Sequence, residues 1–320
     1  MALSSGYTLM HEHMSLGLSP GDMGTESFDL LCADLMDAYR YGVRNIVDMT
    51  NQSMGRAPEY ARRLTEETGI NIILSTGHYL EDFIDPAVLR QTPEAIAEEP
   101  IRDLTVGIDG SGMKAGVIGE IAWSYPGPRE KELKSWEGMC IAARRTGATV
   151  STHPSHGEQQ IPQAEYLLLH GIAPERIVIG HIEFYLSDPS LKKLLGMGLY
   201  LGLDMIGKKS GWGDEYRADT VRKIKRWGCL DQLLLSMDIC RKDDLRSAGG
   251  YGYAYLFESF IPMLEKRGIT GDEIDRMLRK HATNHRGHNR QRHILRPIFH
   301  SILFVRLTAF DIRFRDKYLD

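Results

Sequence analysis

Six side chains in this sequence could together hold metal: His11, His13, Glu120, His153, His181 and Asp238. Each stands at the end of a short apolar run, where a strand would finish. His11 and His13 are two residues apart, so on a strand both project from one face. Packed against a helix layer, two imidazoles would be costly without partners. Facing a shared interior, they can chelate one ion. Four imidazoles and two carboxylates exceed the needs of a single tetrahedral zinc. The surplus points to two divalent cations with a carboxylate between them. Two cations about 3.5–4 Å apart can hold a hydroxide and polarise a substrate oxygen. Nitrogen and oxygen donors without thiolate suit Zn2+, and also Mn2+, Co2+ or Fe2+. The cysteines (Cys32, Cys140, Cys229, Cys240) form no CxxC pair, so a thiolate site is not expected.

These donors need elements to bring them together. Eight strand-like runs recur: Tyr7–His13, Val43–Thr50, Ile70–Gly77, Ala115–Ile121, Thr149–His153, Arg176–Ile182, Tyr200–Asp204 and Gln232–Asp238. Segments of helical apolar spacing separate many of them: Phe28–Tyr41, Glu59–Thr68, Glu130–Thr146, Gln159–His170, Arg217–Trp227 and Tyr253–Lys266. Strands alternating with helices imply parallel strands and crossover helices. The runs are apolar throughout, as in strands buried on both faces. An α/β fold of the (β/α)8 TIM-barrel type takes about 250 residues and places its catalytic groups at the C-terminal ends of the strands. An open doubly wound sheet would want a glycine-rich phosphate loop after the first strand, where His11–Glu12–His13 stands. We therefore expect one barrel domain over residues 1–285 and a separate tail over 286–320. The tail carries eight Arg/Lys against three Asp.

Composition narrows the class. The 320 residues hold 39 Lys+Arg and 43 Asp+Glu, a net charge of -4, which gives no global nucleic-acid signature. No apolar run approaches the roughly 20 residues that span a bilayer. Met1–Tyr7 lacks an export signal. The expectation is a cytoplasmic protein acting on a small molecule, with neither nucleic-acid nor membrane partners.

Several ordered motifs resemble those of the phosphotriesterase family within the amidohydrolase superfamily. They are Gly6–His13, Lys114–Ile121, Ser151–His153, Val178–His181 and Leu235–Asp238. Asn51–Gly55, Gly107–Gly110, Ile206–Lys208 and Gly249–Tyr253 look like one bacterial subgroup of it. The resemblance spans about residues 5–280. It implies a distorted barrel with a binuclear centre. By matched motif, His11, His13 and Asp238 hold the more buried ion, and His153 and His181 the more exposed one. The bridge in this family is a carboxylated Lys or a Glu; here the matching position is Glu120, and Lys114 is read as a surface residue at the barrel bottom. A homodimer is compatible with the resemblance. The chain departs from the family at His281–Ala282, where an Asn-Pro is usual, and after it.

The expected function is hydrolysis of a lactone or carboxylic ester, with weak phosphotriesterase (aryldialkylphosphatase) activity on the same site. Asp238 takes the proton of the attacking hydroxide. Alternatives are an amide or N-acyl hydrolase, and a metal-binding protein without turnover. Substrate contacts are expected from loops after the strands: His78, Tyr79 (matching a Tyr that aligns substrate in related lactonases), Lys208, Arg241 and Tyr251, while His156 is read as a surface residue. Lys208, Lys209, Arg241 and Lys242 around one pocket suggest an anionic substrate group.

Overall fold

The computed structural model describes residues 3–155, 159–184, 187–209 and 212–280. Eight strands run β1 (Tyr7–Glu12), β2 (Val43–Asp48), β3 (Asn71–Thr76), β4 (Ala115–Trp123), β5 (Thr149–Pro154), β6 (Ile177–Ile179), β7 (Tyr200–Leu203) and β8 (Leu233–Leu235). The helices are α1 (Phe28–Arg40), α2 (Pro58–Thr68), α3 (Pro86–Leu89), α4 (Pro93–Thr105), α5 (Glu130–Thr146), α6 (Gln160–Leu169), α7 (Asp188–Gly196), α8 (Asp214–Arg226), α9 (Ile261–Lys266) and α10 (Gly271–Asp275).

All strand pairs are parallel, in the sequential order β1 to β8. This is the expected barrel, nearly closed. Both faces of the sheet are buried, which explains the continuous apolar runs. Sequence spacing does not single out α4. Its Pro100 removes one N–H from the helical ladder and disguises the element. The run expected as one helix over Tyr253–Lys266 opens with a π-helical turn, Leu256–Phe260, before α9.

Two strands are shorter than their apolar runs suggest. β6 stops two residues before His181, and β8 stops three before Asp238. The cause is local. His181 and Asp238 each have φ near +50°, left-handed backbone that leaves the strand ladder.

The seam between the first and last strands is held by side chain as much as by backbone. The Asp238 N–H donates to the His11 carbonyl (3.1 Å), and the His13 N–H to the Ile239 carbonyl (3.1 Å). The fully buried Glu12 carboxylate accepts from the Ser236 hydroxyl (2.7 Å) and from the N–H groups of Met237 (2.9 Å) and Ile239 (2.8 Å). Burial pushes its pKa up to about 8 against these donors. Glu12→Ala leaves the three donors buried and unpaired, at about 1–3 kcal/mol each before relaxation. We expect a loss of about 3 kcal/mol in urea unfolding; a change under about 0.5 kcal/mol contradicts the clasp.

Candidate metal centre

The six expected donors converge at the C-terminal ends of the strands. His11 comes from β1, Glu120 from β4 and His153 from β5, while His13, His181 and Asp238 follow β1, β6 and β8. Glu120 is the hub. Its Oε2 lies 3.1 Å from His11 Nε2, 3.0 Å from His153 Nδ1 and 3.5 Å from His181 Nε2. Its Oε1 lies 3.6 Å from His13 Nε2. Asp238 Oδ1 stands 3.3 Å from His13 Nε2 and 3.8 Å from His11 Nε2. His153 and His181 meet at 2.9 Å, Nδ1 to Nε2. His11, His13, Glu120 and His181 are nearly sealed, whereas the His153 side chain is 18% exposed.

Glycines make this convergence fit. A Cβ on Gly119, just before Glu120, would sit 2.8 Å from the Ser151 carbonyl oxygen. One on Gly180, just before His181, would sit 2.5 Å from the Thr152 carbonyl oxygen. Each glycine lets its chain approach β5 where a candidate donor, Glu120 or His181, follows.

Behind the six stands a layer that fixes their orientation. Asp204, at the end of β7, takes His181 Nδ1 at 2.7 Å and lies 3.4 Å from His11 Nδ1. Both imidazoles thereby turn Nε2 towards Glu120. Thr50 Oγ1 meets His13 Nδ1 at 3.0 Å. The amide side chains of Gln160 and Gln163 on α6 donate to the carbonyls of His181 (3.2 Å) and His153 (3.0 Å). The Asn51 amide donates to the Glu120 carbonyl at 2.8 Å. Sequence reasoning assigned none of these roles. For Asp204 the signal was available, a carboxylate at the correct end of a strand.

The electrostatics are those of a cation site. Burial alone would neutralise Glu120, yet His153 and His11 hold it well below the carboxylate range. Asp204, equally buried, is held at about 2 by His181 and His11. Asp238 resists burial through Lys208 and the hydrogen bond to His13, and is likewise strongly lowered. Burial depresses His153, while Asp204 overcomes burial to raise His181 to about 10. Neither ring nitrogen of His11 makes a well-directed hydrogen bond, although both are buried beside carboxylates. Three sets of donor atoms in this cluster are close enough to share one ion: His11–His13–Glu120, Glu120–His153–His181 and His11–His181–Asp204. Buried carboxylates crowded by imidazoles fit divalent cations, which would displace the protons on those rings.

The expected substrate contacts divide. Tyr79 reaches the centre, with its hydroxyl 3.0 Å from His153 Nε2. Lys208 Nζ lies 2.8 Å from Asp238 Oδ2 and 3.1 Å from Cys240 Sγ. Tyr251 packs its ring over Gly207, next to Lys208. His78 is buried elsewhere, its ring nitrogens 3.0 Å from Ser135 Oγ and 3.2 Å from Gln52 Oε1. Arg241 is 45% exposed and turns to Asp22 and Asp243. Lys242 pairs with Glu26, Lys209 faces solvent, and Lys114 is exposed ahead of β4. Of the four expected cations, Lys208 alone is shown beside the centre. His156, His281–Ala282 and the tail 286–320 lie outside the described residues.

The sequence profile of the phosphotriesterase family matches residues 2–285. The chain belongs to the phosphotriesterase family. It is 34% identical over 283 residues to the phosphotriesterase homology protein of Escherichia coli, covering 87% of this chain and 97% of that one. The crystal structure of that protein, complexed with phosphate in its active site, superposes with a TM-score of 0.83 over 88% of this chain and 98% of that one. This bears out the subgroup likeness read from the motifs. An aryldialkylphosphatase of Saccharolobus solfataricus is 27% identical, covering 84% and 91%. An N-acetyltaurine hydrolase of Dictyostelium discoideum is 29% identical, covering 75% and 68%. The family is metal-dependent and its members are hydrolases with phosphotriesterase and lactonase activity. No helix among the described residues is long and apolar enough to cross a membrane.

A carboxylate that orients metal-binding histidines typically contributes 10–100-fold to metal affinity. We expect Asp204→Asn to weaken zinc binding by about that factor in chelator competition. Unchanged affinity would remove Asp204 from the site.

Proposed function

We propose that this chain is a binuclear metal hydrolase, with zinc the favoured ion, acting on a lactone or carboxylic ester. The observation that carries this is Glu120, which belongs to two sets of donors each close enough to share one ion, one with His11 and His13, the other with His153 and His181. That is the arrangement of a carboxylate bridge. His11, His13 and Asp238 would hold one ion, and His153 and His181 the other. When bound, two divalent cations supply a nucleophilic water of lowered pKa and an electrophile for the substrate oxygen.

The chain's own residues do the rest. Asp238 presents Oδ1 towards His13, while Lys208 grips Oδ2. Its carboxylate, held ionised, accepts the proton of the attacking water and passes it to the leaving group. The Tyr79 hydroxyl, beside the more exposed His153, is placed to align the leaving group. Lys208, with Tyr251 beside it, offers positive charge to an anionic substrate. The phosphate held in the active site of the Escherichia coli relative supports that preference. The aryldialkylphosphatase relative supports a weak phosphotriesterase side activity.

A second reading, hydrolysis of an N-acyl amide, is favoured by the N-acetyltaurine hydrolase relative. A panel of lactones, esters, phosphotriesters and N-acyl amides separates the two readings. A cytoplasmic location and a homodimer complete the proposal; fractionation and sedimentation test them.

Asp238→Asn should lower kcat by about 10²–10⁴-fold, the usual weight of a general base. Full activity with metal bound would sink that role. Chelation should abolish turnover of the preferred substrate, and added Zn2+, Mn2+ or Co2+ should restore it. Turnover indifferent to chelator contradicts a metal-dependent reaction.

A further inference from the structure

A groove of about 710 Å³ opens at the barrel end opposite the metal centre, beside Tyr7 at the start of β1. Its floor is aromatic. The rings of Tyr41 and Phe257 stack at 5.3 Å with 5° between planes, and Tyr7 stacks on Phe257 at 5.6 Å. Tyr41 is 43% exposed, one of few large apolar side chains left to solvent among the described residues. The rim is acidic, with Glu265, Asp272 and Asp275. Asp275 is engaged by the Tyr7 hydroxyl (2.8 Å) and by Arg279 (3.3 Å). Glu265 and Asp272 are exposed and make no ion pair among the described residues.

The surface therefore asks for a partner both cationic and apolar, and one is covalently attached. The described chain reaches Lys280, five residues beyond Asp275, and the Arg279 guanidinium already lies 4.1 Å over the Tyr7 ring. Residues 286–310 contain five arginines (Arg286, Arg290, Arg292, Arg296, Arg306) and no Asp or Glu. They also carry the apolar run Ile302–Leu303–Phe304–Val305. Tethering by a few residues gives such a segment a millimolar effective concentration at the groove.

We propose that the groove between β1 and α10 is the docking site of the chain's own segment 286–310. Its arginines face Glu265 and Asp272, and its apolar residues cover Tyr41 and Phe257. Charges at this rim are exposed, so salt weakens the attraction.

Limited trypsin digestion of the full chain tests this. Cleavage after Arg290, Arg292 and Arg306 tracks the population of the undocked state. The proposal predicts slow cleavage in the wild type. It predicts about tenfold faster cleavage in the double variant Glu265→Lys, Asp272→Lys, and in Tyr41→Ala, which removes apolar contact without changing charge. Turnover at the metal centre should be unchanged in both variants, which also certifies their folding. Equal cleavage rates in wild type and both variants would overturn the proposal. So would a wild-type dimer by sedimentation that becomes monomeric in the variants while tail cleavage stays constant, since a second copy of the chain would then be the occupant.

Discussion

The structure depends on burying the Glu120 carboxylate among four imidazoles. Removing a carboxylate from water is expensive unless positive charge and hydrogen bonds replace the solvent. Here three rings crowd one oxygen within 3.5 Å, and a fourth faces the other oxygen. Two further carboxylates, Asp204 and Asp238, are buried close by. So much negative charge in a dry site is stable only with protons or metal among the donors. The barrel is built to maintain this arrangement, since the four rings arrive from three strand ends, those of β1, β5 and β6.

Orientation is as costly as convergence. An imidazole has two nitrogens, and only one can face the centre. Asp204 and Thr50 fix that choice for three of the four rings. Gln160, Gln163 and Asn51 restrain the backbone that carries His181, His153 and Glu120. Glu12 binds β1 to the segment that leads into Asp238, so the two ends of the chain's barrel cannot drift apart. The left-handed backbone of His181 and Asp238, of order 1–3 kcal/mol of strain each, is retained because this frame over-determines it.

Much of this was legible in the sequence. Period-two spacing put His11 and His13 on one face, and recurring short apolar runs marked all eight strands. The six converging donors followed from asking what stands at matching strand ends. What was hidden has physical reasons. A lone carboxylate such as Asp204 has no spacing partner to reveal it. Pro100 disguised α4. Positive φ at His181 and Asp238 shortened two strands without changing their apolar pattern. Loop residues follow no period, so His78 and Arg241 were expected at the mouth, while their side chains turn to Ser135 and Gln52 in one case and to Asp22 and Asp243 in the other.

The most direct measurement is metal stoichiometry, by elemental analysis of the purified protein after reconstitution and removal of free ion, repeated on Glu120→Ala. The account predicts two equivalents in the wild type, and at most one in the variant, because Glu120 is shared between both sets of donors. Fewer than one equivalent in the wild type, or two retained without Glu120, would contradict it.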